Sequence, residues 1–206
     1  MNDRIRQLLP TLGLVAAAAL VVVLSLKLRD LRERYSRLYD RATYPYAGMF
    51  VPTFQASTLA GEPVTVGGSP VSAKERQVLF VFTTRCQYCK ASLPAWRELA
   101  ARLDTMRSPR VRVYGISLDS TEVTRKYVAQ NRLPFPVVEF PEKKLAAIYR
   151  TQAVPVTVVL DEDGRMLHSH LGQISDRKSI DSVLAMVRWQ PPAPKAAPAR
   201  ARTAAR

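Results

Sequence analysis

Phe82-Thr83-Thr84-Arg85-Cys86-Gln87-Tyr88-Cys89-Lys90 is the stretch from which this sequence opens up. Before it, Val78–Phe82 is an uninterrupted apolar run of strand length. After it, Leu93, Trp96, Leu99 and Leu103 recur at helical spacing. A buried strand therefore ends, a tight connection follows, and a helix begins at or just after Cys86. That placement aims unsatisfied backbone N–H groups and the positive end of the helix dipole at the Cys86 sulfur, which favours negative charge there. Arg85 and Lys90 act in the same sense if their side chains point toward the site. The two-residue gap, Gln87 and Tyr88, puts Cys89 one helical turn on, within reach of a small disulfide loop. Cys86 is then the candidate nucleophile and Cys89 the more buried thiol that resolves a mixed disulfide. Metal sites and chance also produce an isolated C-x-x-C. A strand before it and a helix after it, inside a β-α-β pattern, is the redox context.

Working outward, strand and helix alternate. Val111–Leu118 reads as a strand, Thr121–Asn131 as a helix, Pro136–Val138 as a short strand and Lys143–Tyr149 as a short helix. Val156–Leu160, the turn Asp161-Glu162-Asp163-Gly164 and Met166–Leu171 read as a hairpin. Ser175 is the expected N-cap of a last helix through Val187, with Asp176 in its first turn. Such alternation implies an α/β fold, a layered sheet with helices on both faces. Val154-Pro155 precedes the strand Val156–Leu160 and carries two readings. Proline is tolerated as the first residue of a strand. Beside a redox pair it is instead a cis-proline that presents the Val154 backbone to an extended peptide substrate.

The two ends differ from this middle. Gln7 to Leu26 is uncharged and dominated by Leu, Val and Ala. At about 1.5 Å per residue it spans about 30 Å, the hydrocarbon thickness of a bilayer. Its Ala run lies mid-segment and not before a cleavage site, so residues 1–27 read as an uncleaved single transmembrane anchor. In residues 28–45, Leu28, Leu31, Tyr35 and Leu38 mark an amphipathic juxtamembrane stalk, with self-association left open. Residues 190–206 form a Pro/Ala/Arg tail that cannot bury a core and is expected to be disordered. The folded domain is expected over residues 46–189. The formal charge of +14 is dispersed, with net +4 over residues 1–45, +6 over 46–189 and +4 over 190–206. No basic element with interleaved aromatics stands out, so nucleic acid is not an expected partner. Anionic lipid beside the anchor suits the basic residues better. Orientation is unresolved at this level, because Arg4 and Arg6 precede the span and six basic residues follow it by Arg41. With only two cysteines, neither a disulfide framework nor a four-cysteine metal site is available.

From about Val51 to Arg188 the chain resembles the TlpA/ResA branch of the thioredoxin superfamily, the membrane-tethered bacterial thiol–disulfide reductants. The resemblance lies in Pro52-Thr53-Phe54 through Leu59-Ala60-Gly61 to Val64-Thr65-Val66, similar to that branch's N-terminal hairpin. It lies also in Cys86–Lys90 with Pro94, and in Gly115-Ile116-Ser117-Leu118-Asp119 followed by a helix and Pro134–Val138, similar to its β-α insertion. Ala153-Val154-Pro155 through Gly164 resembles its cis-proline strand. The resemblance implies a thioredoxin-like sheet and a redox-active Cys86–Cys89 pair without a cofactor. It also implies protein disulfide or dithiol substrates, a membrane thiol-electron donor, and a place in the bacterial inner membrane with the domain outside the cytoplasm, for example in cytochrome c maturation. The chain departs from the branch in having Arg85 where Trp is common before the first cysteine. Ser92 stands where a Glu often follows the second, and Phe80 where thioredoxin carries a buried Asp. Two rival readings remain. A peroxiredoxin-like site would need proline where Leu79 stands, although Thr83 matches that pattern. A copper-binding site would combine Cys86 and Cys89 with His168 and His170, two imidazoles on one face of a strand.

Overall fold

In a computed structural model the chain is described at residues 3–68, 75–107 and 109–189, with side chains from residue 14 onward. It divides between Tyr46 and Ala47 into two units. The first is a single helix, α1 (Asp3–Thr43), which runs through the expected anchor and stalk without a break. Leu28, Leu31, Tyr35 and Leu38 lie exposed along it. Arg29 pairs with Glu33 at 3.4 Å and Arg34 with Asp30 at 3.0 Å, each one turn apart. Among the described residues no helix is long and apolar enough to cross a membrane. Here the structure differs from the expected span of residues 7–26. Its described part, Leu14 to Leu26, covers only about 20 Å at the helical rise, and the side chains of residues 7–13 lie outside the described residues. The expected tail, 190–206, also lies outside them.

The second unit holds a two-stranded hairpin, β1 (Phe54–Ser57) with β2 (Pro63–Val66), and a five-stranded sheet. The sheet contains β3 (Glu75–Phe82), β4 (Arg110–Ser117), β5 (Val137–Glu139), β6 (Val156–Leu160) and β7 (Met166–Leu171), in the order β5-β4-β3-β6-β7. β3 is central, parallel to β4 and antiparallel to β6. Every one of its residues is buried, as its apolar part Val78–Phe82 requires. It starts three residues earlier than the apolar run, because Glu75, Arg76 and Gln77 are buried polar residues with partners. Glu75 bonds Arg112 (3.2 Å), Arg76 donates to the Met186 and Val187 carbonyls, and Gln77 holds the Gly67 N–H and the Gly68 carbonyl.

Four helices complete the unit: α2 (Gln87–Asp104), α3 (Thr121–Asn131), α4 (Lys143–Ile148) and α5 (Arg177–Arg188). Alternation along β3 divides the core. Val78, Phe80 and Phe82 pack with α2, α5 and Tyr127 of α3. Leu79 and Val81 pack with Phe54 and Val66 of the hairpin and with Leu145 and Tyr149 at α4. This is the thioredoxin-like α/β arrangement, with helices on both faces and the hairpin closing one of them. The expected cap of α5 moves by one residue. Asp176, not Ser175, is the N-cap, because its carboxylate accepts the Ser179 N–H at 2.8 Å.

Candidate active site

The end of β3 fixes the site. After Phe82 the chain turns, and the Thr84 N–H donates to the Asp119 carboxylate at the end of β4 (2.5 Å). The Cys86 N–H donates to the Thr83 carbonyl (3.3 Å). Cys86 itself is the N-cap of α2, in extended conformation at φ −77° and ψ 113°, and its Sγ accepts the Cys89 N–H at 3.2 Å. An N-cap position is normally held by a small oxygen side chain that satisfies an orphan amide. Here sulfur occupies it, so the amide that caps the helix also faces the charge a thiolate would carry.

Both cysteines are free thiols, with Cys86 half-buried and Cys89 fully buried. Burial, and then the hydrogen bond with Cys86, push the Cys89 thiol up to about 12. The pair is therefore asymmetric: one sulfur is accessible at a helix N-terminus and the other is held as a thiol in the core. Facing them, the Val154–Pro155 peptide is cis, and the Cys86 thiol donates to the Val154 carbonyl at 3.8 Å. The Pro155 carbonyl accepts the Gly172 N–H (2.8 Å). Pro155 is thus a cis-proline placed beside the cysteines as well as the residue before β6.

Arg85, Gln87, Tyr88 and Lys90 are exposed around the pair. Arg85 borders a cavity of about 720 Å³ with Asp119, Glu139, Phe140, Lys143 and Gln152, built largely from the β4–α3–β5 insertion and α4. The two positions at which the sequence resemblance points to a carboxylate, Phe80 and Ser92, carry none. Phe80 stacks on Trp96 at 5.1 Å and meets Phe135 edge-on. Ser92, fully buried, donates to the Tyr88 carbonyl (2.9 Å) and accepts the Ile174 N–H (3.2 Å). Ser92 thereby ties α2 to the loop after β7, whose Gly172 N–H bonds the Pro155 carbonyl.

His168 and His170 pair across β7 with Val159 and Thr157. His170 Nε2 contacts the Gln173 carbonyl at 3.2 Å, while His168 is held below its ordinary value by burial and by His170. Among the described residues no three His, Cys, Asp or Glu side chains gather into a group that could hold a metal. The copper alternative, which needed the cysteines and histidines together, has no such constellation here.

Three features near the end of β3 are not legible as such in the sequence. Asp119 closes an apolar strand, which is a usable signal for a residue at a sheet's functional end. The Gly172–Ile174 loop and the hydroxyl of Tyr127 become visible only through tertiary packing.

Comparison with known proteins adds to this geometry. Thioredoxin-like protein YneN of Bacillus subtilis is 28% identical over 136 residues, 64% of this chain and 75% of that protein. Methylamine utilization protein MauD of Methylophilus methylotrophus is 27% identical over 144 residues, 70% of this chain and 64% of that protein. The crystal structure of StoA from Bacillus subtilis superposes with a TM-score of 0.54 at 19% identity, over 68% of this chain and 98% of that one, a likeness of fold. The AhpC/TSA family model matches residues 47–169, from the segment before the hairpin into the last strand, a range that includes Cys86, Cys89 and Pro155. The chain belongs to the AhpC/TSA family, consistent with the TlpA/ResA-like pattern of its motifs.

Proposed function

We propose that this protein is a membrane-anchored thiol–disulfide oxidoreductase that reduces disulfides of extracytoplasmic proteins through Cys86 and Cys89. The observation that carries this reading is the asymmetry of the pair. Cys86 Sγ is accessible at the N-cap of α2 and 3.8 Å from the Val154 carbonyl, with Cys89 buried one turn behind it. The Cys86 thiolate attacks one sulfur of a substrate disulfide, and the electron pair of the broken S–S bond leaves on the other sulfur. Cys89 then attacks Cys86, forming the Cys86–Cys89 disulfide and releasing the substrate dithiol. Two electrons pass to the substrate, and the two thiol protons end on its sulfurs. The Val154 backbone next to Pro155 receives the extended peptide that flanks the substrate cysteine. Arg85, Gln87, Tyr88 and Lys90 border the approach and tune it.

A membrane thiol carrier regenerates the dithiol, and the substrates include proteins such as apocytochromes with paired haem-binding cysteines. The uncharged stretch from Gln7 to Leu26 supports the anchor. The relative YneN, named a thioredoxin-like protein, supports thioredoxin-like chemistry in the domain. The peroxidase alternative is disfavoured at Leu79, where such a motif has proline. Leu79 sits mid-strand between Tyr114 of β4 and Val158 of β6, and a proline there would remove a ladder bond from the central strand.

The test is a trap. Cys89→Ser expressed in a bacterial host should accumulate mixed disulfides with partner proteins on Cys86, which a reductant releases. Recovery of no adduct, or of the same adducts from Cys86→Ser, defeats the proposal. A reduction potential near about −270 mV fits a reductant, whereas one near about −120 mV reverses the direction of electron flow.

A further inference from the structure

The turn that carries Cys86 is bracketed by the two strands that flank β3. On the side of β6, the Val154 carbonyl lies 3.8 Å from Cys86 Sγ. On the side of β4, the Leu118 N–H donates to the Phe82 carbonyl at 3.0 Å, and one residue on the Asp119 carboxylate accepts the Thr84 N–H at 2.5 Å. Within the turn, the Cys86 N–H bonds the Thr83 carbonyl at 3.3 Å, which closes the turn on itself without attaching it to the sheet. The Thr84 hydroxyl is buried and has no hydrogen-bond partner among the described residues, so that side chain contributes no bond to the turn. The short, charge-assisted bond to Asp119 is what ties the residues between Phe82 and Cys86 to β4.

Asp119 is itself held in place. Its own N–H donates to the Ser117 hydroxyl at 3.2 Å, and that hydroxyl shares a hydrogen bond of 2.6 Å with Thr124 of α3. Ser117 and Thr124 are both buried, where a hydroxyl is costly unless it is satisfied. A continuous path of hydrogen bonds thus runs from α3, through the end of β4, to the residue two before the nucleophile. The exchange reaction creates a demand for such a path. Cys86 must meet one sulfur of a disulfide whose peptide is held on the Val154 backbone. A misplacement of about 1 Å at a reacting atom can cost on the order of a hundredfold in rate. The Cys89 N–H orients Cys86 Sγ about the start of α2 (3.2 Å), but it does not fix the start of α2 against β6.

We propose that Asp119 is the positioning residue of Cys86: by holding the Thr84 N–H it fixes the cysteine turn, so that the sulfur stands ready for a disulfide docked at Val154. The proposal rests on the Cys86/Cys89 exchange set out above. In this role Asp119 exchanges no proton and forms no bond to the substrate. It supplies an acceptor oxygen at one place, and the place matters rather than the charge.

The experiment compares three substitutions in the full reduced chain. Asp119→Ala removes the acceptor. Asp119→Asn keeps an acceptor oxygen in place without the charge. Asp119→Glu keeps the charge, but a bond of 2.5 Å leaves no room for an added methylene, so its oxygen is displaced. The probe is a cysteine peptide carried as its mixed disulfide with a chromogenic aryl thiol. Cys86 attacks the peptide sulfur, forms the Cys86–peptide disulfide and releases the aryl thiolate, so colour reads this first step alone. Rates are taken well below each variant's melting temperature, where a loss of stability by itself leaves them unchanged. Release is expected to slow roughly tenfold in Asp119→Ala and Asp119→Glu, and to stay within about twofold of wild type in Asp119→Asn. Asp119→Ala at the wild-type rate overturns the proposal. So does Asp119→Asn slowed as much as Asp119→Ala, or Asp119→Glu at the wild-type rate, because either result makes the charge the working feature. If Asp119→Ala does not fold, the Asn and Glu variants decide the matter between them. Failure of the underlying exchange looks different: Cys86→Ser then releases the aryl thiolate as fast as wild type.

Discussion

Cys89 couples the redox state of the protein to its stability as well as to its chemistry. In the dithiol form burial pushes this thiol up to about 12, against about 8.5 in an unfolded chain. The folded state therefore retains a proton that the unfolded state releases. Its contribution to stability is complete below the unfolded value and is lost as pH rises from about 8.5 toward about 12. Other buried phenols, Tyr114, Tyr127 and Tyr149, are raised in the same direction and steepen the alkaline loss in every variant. The share of Cys89 is isolated by difference. Melting temperatures of reduced wild type and Cys89→Ala, followed upward from neutrality, should converge as the alkaline limb is climbed. Parallel curves would show that Cys89 is not held protonated by the fold. Legibility at this scale is uneven. The C-x-x-C and its strand-to-helix setting announce Cys86 and Cys89 from sequence, because a helix N-terminus is a local feature. The unpartnered hydroxyl of Tyr127 is not local. It depends on an α3 ring meeting the end of β3, with no motif to signal it.

The elements that position the site meet at a close approach in β4. A Cβ added to Gly115 would lie 2.9 Å from Val137 Cγ2, 3.0 Å from Phe135 Cε2 and 3.2 Å from Phe82 Cε1. Gly115 thus lets β5 and the segment before it close onto the sheet beside Phe82, the residue that precedes the cysteine turn. Gly115→Ala should cost about 1–3 kcal/mol by overpacking, read as a lower denaturant midpoint with unchanged slope. A midpoint equal to wild type would show that the aromatic rings give way freely. The same part of the chain shows why the fold was readable and its edges were not. Thr121–Asn131, Val156–Leu160 and Met166–Leu171 have the same bounds in the sequence pattern and in the structure. The sequence pattern starts β3 only at Val78 because Glu75, Arg76 and Gln77 look like surface, and their partners come from β4, α5 and the β2 end. The sequence puts the α5 cap one residue early because Ser175 and Asp176 are both good caps, and only the bond to Ser179 distinguishes them.

At the scale of the whole molecule, the division at Tyr46 separates a helix from the unit that holds the entire site. α1 has 41 residues, about 62 Å at the helical rise, so the proposed anchor of about 30 Å and the stalk fit its length, although its described residues are not apolar over a long enough stretch to cross a membrane. Six basic residues between Lys27 and Arg41 follow the apolar stretch, and a simple count would hold them in the cytoplasm. That rule applies to short flanking loops, whereas long segments cross largely irrespective of charge. Everything beyond Leu26 amounts to about 180 residues, well past the roughly 60-residue limit of the rule. A domain whose function is to exchange disulfides also belongs where disulfides persist. The expectation is therefore that the domain is exported despite its charged stalk. Alkaline phosphatase fused after Arg188 should be active in a bacterial host, and the full chain should remain with membranes after an alkaline wash. A chain beginning at Ala47 should be soluble and should reduce a model protein disulfide at the full-length rate, since Cys86, Cys89 and Pro155 all lie in its unit. An inactive fusion with a membrane-bound chain would place the domain in the cytoplasm and make the basic stalk the dominant topological signal. A soluble full-length chain would remove the anchor and leave the redox pair as it stands.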